Sequence, residues 1–162
     1  MVSLKSRQPA SAERRLAELG IELPPAPTPI GAYVETVLTG NLLYLSGVLP
    51  VIAREPAFVG RLGKEFDIEE GRKAARIAAL NALSAARHHL GSLDRITGVV
   101  KLTVYVATEG NFYAHAKVAD GSSELLRDVF GEDKLPVRMV LGVASLPLGV
   151  PVVVEVLFEV KP

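Results

Sequence analysis

Arg138 has the setting that most suggests chemistry. It follows Leu135-Pro136-Val137 and precedes Gly142-Val143-Ala144-Ser145-Leu146-Pro147, with the strand-like Val152-Val153-Val154-Glu155-Val156 beyond. A guanidinium beside buried strands is costly to hold without an anionic partner. Its planar fork is also the side chain best suited to grip a carboxylate through two parallel hydrogen bonds. Taken alone, Arg138 serves equally as a member of a structural ion pair. Tyr33, after Ile30-Gly31, is by itself a half-buried strand aromatic. Ser46-Gly47 and Ser145 sit in no nucleophile-elbow context and read as turn or strand-end residues, and no Walker A or G-x-G-x-x-G pattern is present.

The chain has three histidines and no cysteine. His88 and His89 are adjacent near a helix end, so their rings point about 100° apart and do not share a metal as an i, i+4 pair does. They read as cations that suit the helix dipole. His115, near Phe112 and Ala119, reads as a structural histidine. Without cysteine there is no disulfide, thiolate nucleophile or cysteine metal site, and no cofactor is expected.

At 162 residues, with 49% hydrophobic and 22% charged residues, the chain is long enough for one domain with a real core. Its formal net charge of zero offers nothing global to attract phosphate backbones or anionic membranes. Met1-Val2-Ser3-Leu4-Lys5-Ser6-Arg7 lacks the apolar run of a signal peptide, and no stretch approaches a membrane span. The expectation is a soluble, cytoplasmic protein with neither membrane nor nucleic acid as a partner.

Along the chain, residues 1–10 are expected to form a loose tail. Ser11 caps a short helix over Ala12–Leu19 that Gly20 ends, and Leu23-Pro24-Pro25-Ala26-Pro27-Thr28-Pro29 is an extended arm. Ala32–Leu38 and Leu42–Leu49 read as strands joined by Gly40-Asn41, with a short strand near Phe58–Leu62. Asp67 opens a helix over 68–90, with Glu70 completing a capping box, Gly91 stopping it and a stripe of alanines on one side. In Val99–Val106, alternation puts Val100, Leu102, Val104 and Val106 on one face. Asn111 is expected to cap a second helix, broken near Asp120-Gly121 before Glu124–Phe130. Strands then run through Arg138–Ala144 and Val152–Val160. Helices interleaved with a mostly antiparallel sheet make an α+β layered domain.

Together, Ile30-Gly31-Ala32-Tyr33, Leu45-Ser46-Gly47-Val48-Leu49-Pro50, Val99–Val106, Pro136-Val137-Arg138 and Ser145-Leu146-Pro147 followed by Val154-Glu155-Val156 resemble the RidA (YjgF) family, also called the endoribonuclease L-PSP family. Asp120-Gly121-Ser122-Ser123-Glu124-Leu125-Leu126 looks like the extra stretch of its longer branch, which also carries an N-terminal extension. Residues 1–27 correspond to that extension and 28–162 to a single RidA-like domain. The resemblance implies a chorismate-mutase-like fold with two main helices on one sheet face, assembled as a homotrimer with ligand clefts between subunits. It implies that Arg138 grips a substrate carboxylate and that Tyr33 lines the cleft, these two being the candidate catalytic residues. Backbone at Ser46-Gly47 contacts the ligand, and Glu155 is a further candidate ligand-binding residue.

The activity this implies is hydrolysis of 2-imino acids and their enamines, such as 2-iminobutanoate and 2-iminopropanoate, to 2-keto acids and ammonia. The deaminating members carry a glutamate two residues before the position of Glu155, and here Val153 stands there. Valine neither accepts nor transfers a proton. After Arg138, Met139-Val140 is more apolar than the family's Ser-Cys or Ser-Thr. Three readings follow: an imine deaminase of weak or restricted activity, a carboxylate-binding protein without turnover, and a ribonuclease. The neutral charge and the lack of a histidine pair argue against the third.

Overall fold

Ser11 starts the first helix as its sequence requires, its hydroxyl accepting the Arg14 N–H. In the computed structural model, which describes residues 11–162, this helix is α1 (Ala12–Glu18). The tail expected over residues 1–10 lies outside the described residues. α1 sends Leu16, 1% exposed, into the same hydrophobic cluster as the sheet and the main helices.

The arm leads to a hairpin of β1 (Thr36–Thr39) and β2 (Leu42–Leu45). Both strands are shorter than expected, for different reasons. Before Thr36 the chain turns back on itself, the Tyr33 N–H bonding the Gly31 carbonyl at 3.0 Å. Past Leu45 the ladder slips: from the Tyr44–Leu157 pair to the Val48–Val154 pair the first chain advances four residues and its partner three. The extra residue is a bulge at Ser46-Gly47. No strand forms over Phe58–Leu62. Instead β3 (Val51–Ile52) and β4 (Glu55–Pro56) make a tight hairpin around Ala53 and Arg54, whose φ values of 50° and 71° are uncommon for residues with a Cβ.

α2 (Ile68–Leu90) follows its local signals at both ends. Asp67 and Glu70 exchange side-chain and backbone hydrogen bonds at 2.9 and 3.0 Å, and Gly91 closes the helix at φ 81°. β5 (Ile96–Ala107) is longer than the alternation indicates, and one residue departs from its predicted face. The β5–β7 ladder shifts between Val99 and Lys101, so Val99 is buried and Val100 is exposed.

α3 (His115–Phe130) is continuous. Asn111 does not cap it. The first helical residue follows Ala114, which makes no side-chain cap, while Asn111 accepts a hydrogen bond from the Tyr113 hydroxyl. Gly121 does not break the helix either. A Cβ there would stand 2.1 Å from the Arg72 carbonyl oxygen, so the glycine lets α2 and α3 touch backbone to backbone.

β6 (Val137–Val143) and β7 (Val152–Val160) complete a five-stranded sheet ordered β1-β2-β7-β5-β6, antiparallel except for the β5–β6 pair. α2 and α3 cover the face that carries Leu43, Leu102, Val104, Val154, Val156 and Phe158, an α+β arrangement. The opposite face has no layer of its own. On it Val37, Tyr44, Met139 and Leu141 are exposed, and β6 leaves one sheet edge open. Among the described residues no helix is long and apolar enough to cross a membrane.

Candidate functional site

The bulge at Ser46-Gly47 shapes the ground of the site. Ser46 is tied to the segment before β1, its N–H donating to the Glu35 carbonyl at 2.9 Å and its hydroxyl donating to the Val34 carbonyl. Gly47 then crosses beside β7. A Cβ on Gly47 would lie 3.2 Å from a Val153 methyl carbon.

Above this ground lies a cavity of about 600 Å³, walled by the arm on one side and by Tyr33, Glu35, Gly47 and Arg54 on the other. The Tyr33 ring folds over Gly31, and its hydroxyl accepts the Ile30 N–H at 3.2 Å. Four hydrogen bonds clamp the wall. Ser84 of α2 donates to the Pro24 carbonyl, Arg54 Nη2 donates to the Thr28 hydroxyl at 3.1 Å, and the Asn81 amide donates to the carbonyls of Leu49 and Val51 at 3.0 and 2.9 Å. Burial pushes the Glu35 carboxyl above its ordinary pKa. Among the described residues that carboxyl has no ion-pair or hydrogen-bond partner within reach.

Of the expected site residues, Tyr33 and Gly47 line this cavity, while Ser46 lies next to Gly47 and is not on the wall. Arg138 is elsewhere. It sits on β6, paired with Leu102 of β5 on the helix-covered side of the sheet. Its Nη1 donates to Asp120 Oδ1 at 2.7 Å and to Ser123 Oγ at 3.0 Å, both on α3. Nε and Nη2 remain unengaged among the described residues, so one edge of the fork is held and the other is open. β1 and β6 are the two outer strands, and four strand spacings of ~4.8 Å separate them by about 19 Å. Glu155 faces the open side of the sheet opposite Thr103, exposed and outside the cavity wall. The β5–β7 ladder has no register shift near it, and the bulge across from it in the β2–β7 ladder puts its extra residue at Ser46-Gly47, not on β7. Val153, on the same side of the sheet, is 8% exposed.

Glu35 and Arg54 were not singled out from sequence. Glu35 reads there as one more polar residue next to a strand, and nothing in the types or spacing around Arg54 marks it out. Among the described residues no cluster of three or more metal-ligating side chains occurs.

The profile described as "YjgF/chorismate_mutase-like, putative endoribonuclease" matches residues 13–160. The chain belongs to the YjgF/RidA family. Protein TCP17 of Trypanosoma cruzi is 41% identical over 147 residues, covering 90% of this chain and 92% of its own. The crystal structure of the protein Atu1372, of unknown function, from Agrobacterium tumefaciens superposes with a TM-score of 0.85 at 36% identity, over 93% of this chain and 92% of that one. A more distant relative, 27% identical over 136 residues (83% of this chain and 91% of its own), is named 2-iminobutanoate/2-iminopropanoate deaminase, from Dermatophagoides farinae. The YjgF/RidA match starts inside α1, so that helix belongs to the stretch shared with the family.

Proposed function

We propose that the chain binds small 2-imino and 2-keto carboxylates at clefts between copies of a cytoplasmic homotrimer and hydrolyses the imines slowly, within a restricted substrate range. The observation that carries this reading is the separation of Arg138 from Tyr33. Arg138 is on one outer strand, β6, and Tyr33 lies three residues before the other, β1, so one chain alone offers two half-sites. A second copy docking its β6 edge beside the first copy's cavity supplies the missing half. The uncovered sheet face, with Val37, Tyr44, Met139 and Leu141 exposed, gives that docking an apolar surface to bury. The chemistry is supported by the relative named as an imine deaminase. Imine hydrolysis already proceeds in water, so orientation by an arginine plus modest electrostatic help accelerates it.

A second reading, carboxylate binding without turnover, is favoured by Val153, which supplies no proton acceptor where the deaminating relatives have glutamate. One experiment separates the two. An amino-acid oxidase or dehydratase generates 2-iminobutanoate in situ, and semicarbazide trapping follows its loss with and without the protein. Faster loss that is abolished in Arg138→Ala supports the enzyme. Loss at the uncatalysed rate, alongside calorimetric binding of 2-ketobutyrate, supports the binding protein. Neither turnover nor binding overturns both.

A further inference from the structure

Val153 removes one proton acceptor, yet the cavity contains another carboxyl. Glu35 lies on its wall with Tyr33 and Gly47. The hydrogen bond from Ser46 N–H to the Glu35 carbonyl sets Glu35 beside the bulge that Val153 adjoins, where a Cβ on Gly47 would lie 3.2 Å from a Val153 methyl carbon. We propose that Glu35 is the proton-handling catalytic residue of this chain, supplying from the segment just before β1 the acid that Val153 cannot be. This deepens the imine-hydrolase reading above and rests on it.

The surroundings suit the role. A carboxyl in ion pairing stays a weak base, and Glu35 has no such partner among the described residues. The other titratable groups on the wall are Tyr33 and Arg54. Arg54 is turned to Thr28, and it forms no ion pair with Glu35. Desolvation brings the carboxyl closer to neutral pH, where a general base and acid works best.

The step balances as follows. The Glu35 carboxylate takes a proton from water as the water oxygen bonds to C2 of the protonated imine, and the C=N π pair moves to nitrogen. Glu35, now neutral, returns that proton to the amino nitrogen. The C–N bond breaks, ammonia leaves with the bonding pair, and the hydroxyl oxygen closes the C=O bond. The hydroxyl proton passes to ammonia. Imine and water become 2-keto acid and ammonium, and the carboxylate is restored.

The test compares wild type with Glu35→Gln, which keeps size and hydrogen-bonding capacity. Imine loss is measured from pH 5 to 8, with 2-ketobutyrate binding by calorimetry and mass by light scattering as controls. The expected result is at least a tenfold fall in kcat/KM, loss of the acid limb of the pH profile, and affinity within about twofold of wild type. Glu35→Asp should keep the limb at a reduced rate. Wild-type turnover with an unchanged rate and profile in Glu35→Gln overturns the role of Glu35 alone. No turnover in wild type overturns the imine-hydrolase reading and this inference with it.

Discussion

Gly47 lies beside Val153 across the bulge, so that a Cβ on the glycine would stand 3.2 Å from the valine's methyl carbon. A carboxylate introduced by Val153→Glu therefore enters next to the backbone of the bulge, at a position 8% exposed. Burying an unpaired acid there should cost ~1–3 kcal/mol of stability, read as a lower midpoint in urea. In a Glu35→Gln background it should also raise imine turnover at least tenfold. An unchanged rate would show that this position is closed to the reacting water.

Arg138 and Tyr33 give a test by mixing. Arg138→Ala should weaken 2-ketobutyrate binding roughly ten- to a hundredfold, ~1.5–3 kcal/mol, and lysine should recover only part of it. Arg138→Ala and Tyr33→Ala chains, each impaired alone, should regain activity when denatured and refolded together. A mixed interface of the right order unites one intact arginine with one intact tyrosine, in roughly a quarter of random interfaces. Recovery no greater than the sum of the separate variants would confine the site to one chain.

The uncovered face predicts mass. Light scattering at micromolar concentration should give about three times the 17.3 kDa of one chain. Met139→Asp, on the exposed part of β6, should shift the population toward monomer and abolish turnover with it. An active monomer would contradict an intersubunit cleft.

Gly121 is the point where the helices meet most closely. Gly121→Ala places a methyl 2.1 Å from the Arg72 carbonyl oxygen, so α2 and α3 must separate. Overpacking of this kind costs ~1–3 kcal/mol or more, and the loss should exceed any gain in helix propensity. A thermal midpoint equal to or above wild type would show that the helices part freely.

Asp94 ties α1 to the body of the fold. Burial raises its pKa, but hydrogen bonds from the Glu13 N–H at 3.1 Å and from the Ser11 hydroxyl at 2.8 Å outweigh burial and hold it below its ordinary value. A depressed carboxyl stabilises the fold above its unfolded pKa, and the contribution fades as pH falls through the folded one. Amide exchange in α1 should therefore quicken below about pH 4 relative to α2. Asp94→Asn should flatten that difference.

Where signals are local, the elements were legible. Asp67 with Glu70, Gly91 and Ser11 mark helix ends through bonds that span three or four residues. What escaped was set by distant contacts. The alternation of β5 misassigned Val100 because a shift in the ladder is invisible within one strand. Gly121 reads as a breaker, since sequence does not reveal the Arg72 backbone lying against it. Tyr33 and Gly47 could be singled out as candidates, but Glu35 could not. Its significance comes from the cavity, and the arm that closes the cavity approaches from residues 24–30.

The arm contributes no strand and no helix between α1 and β1, and a few side-chain bonds hold it in place. Substitutions from Pro24 to Ile30 can therefore change the size and polarity of the chamber while the sheet keeps its register. The shape of the chamber and the folding of the sheet are thus under separate control, and a lineage can remodel the one without rebuilding the other.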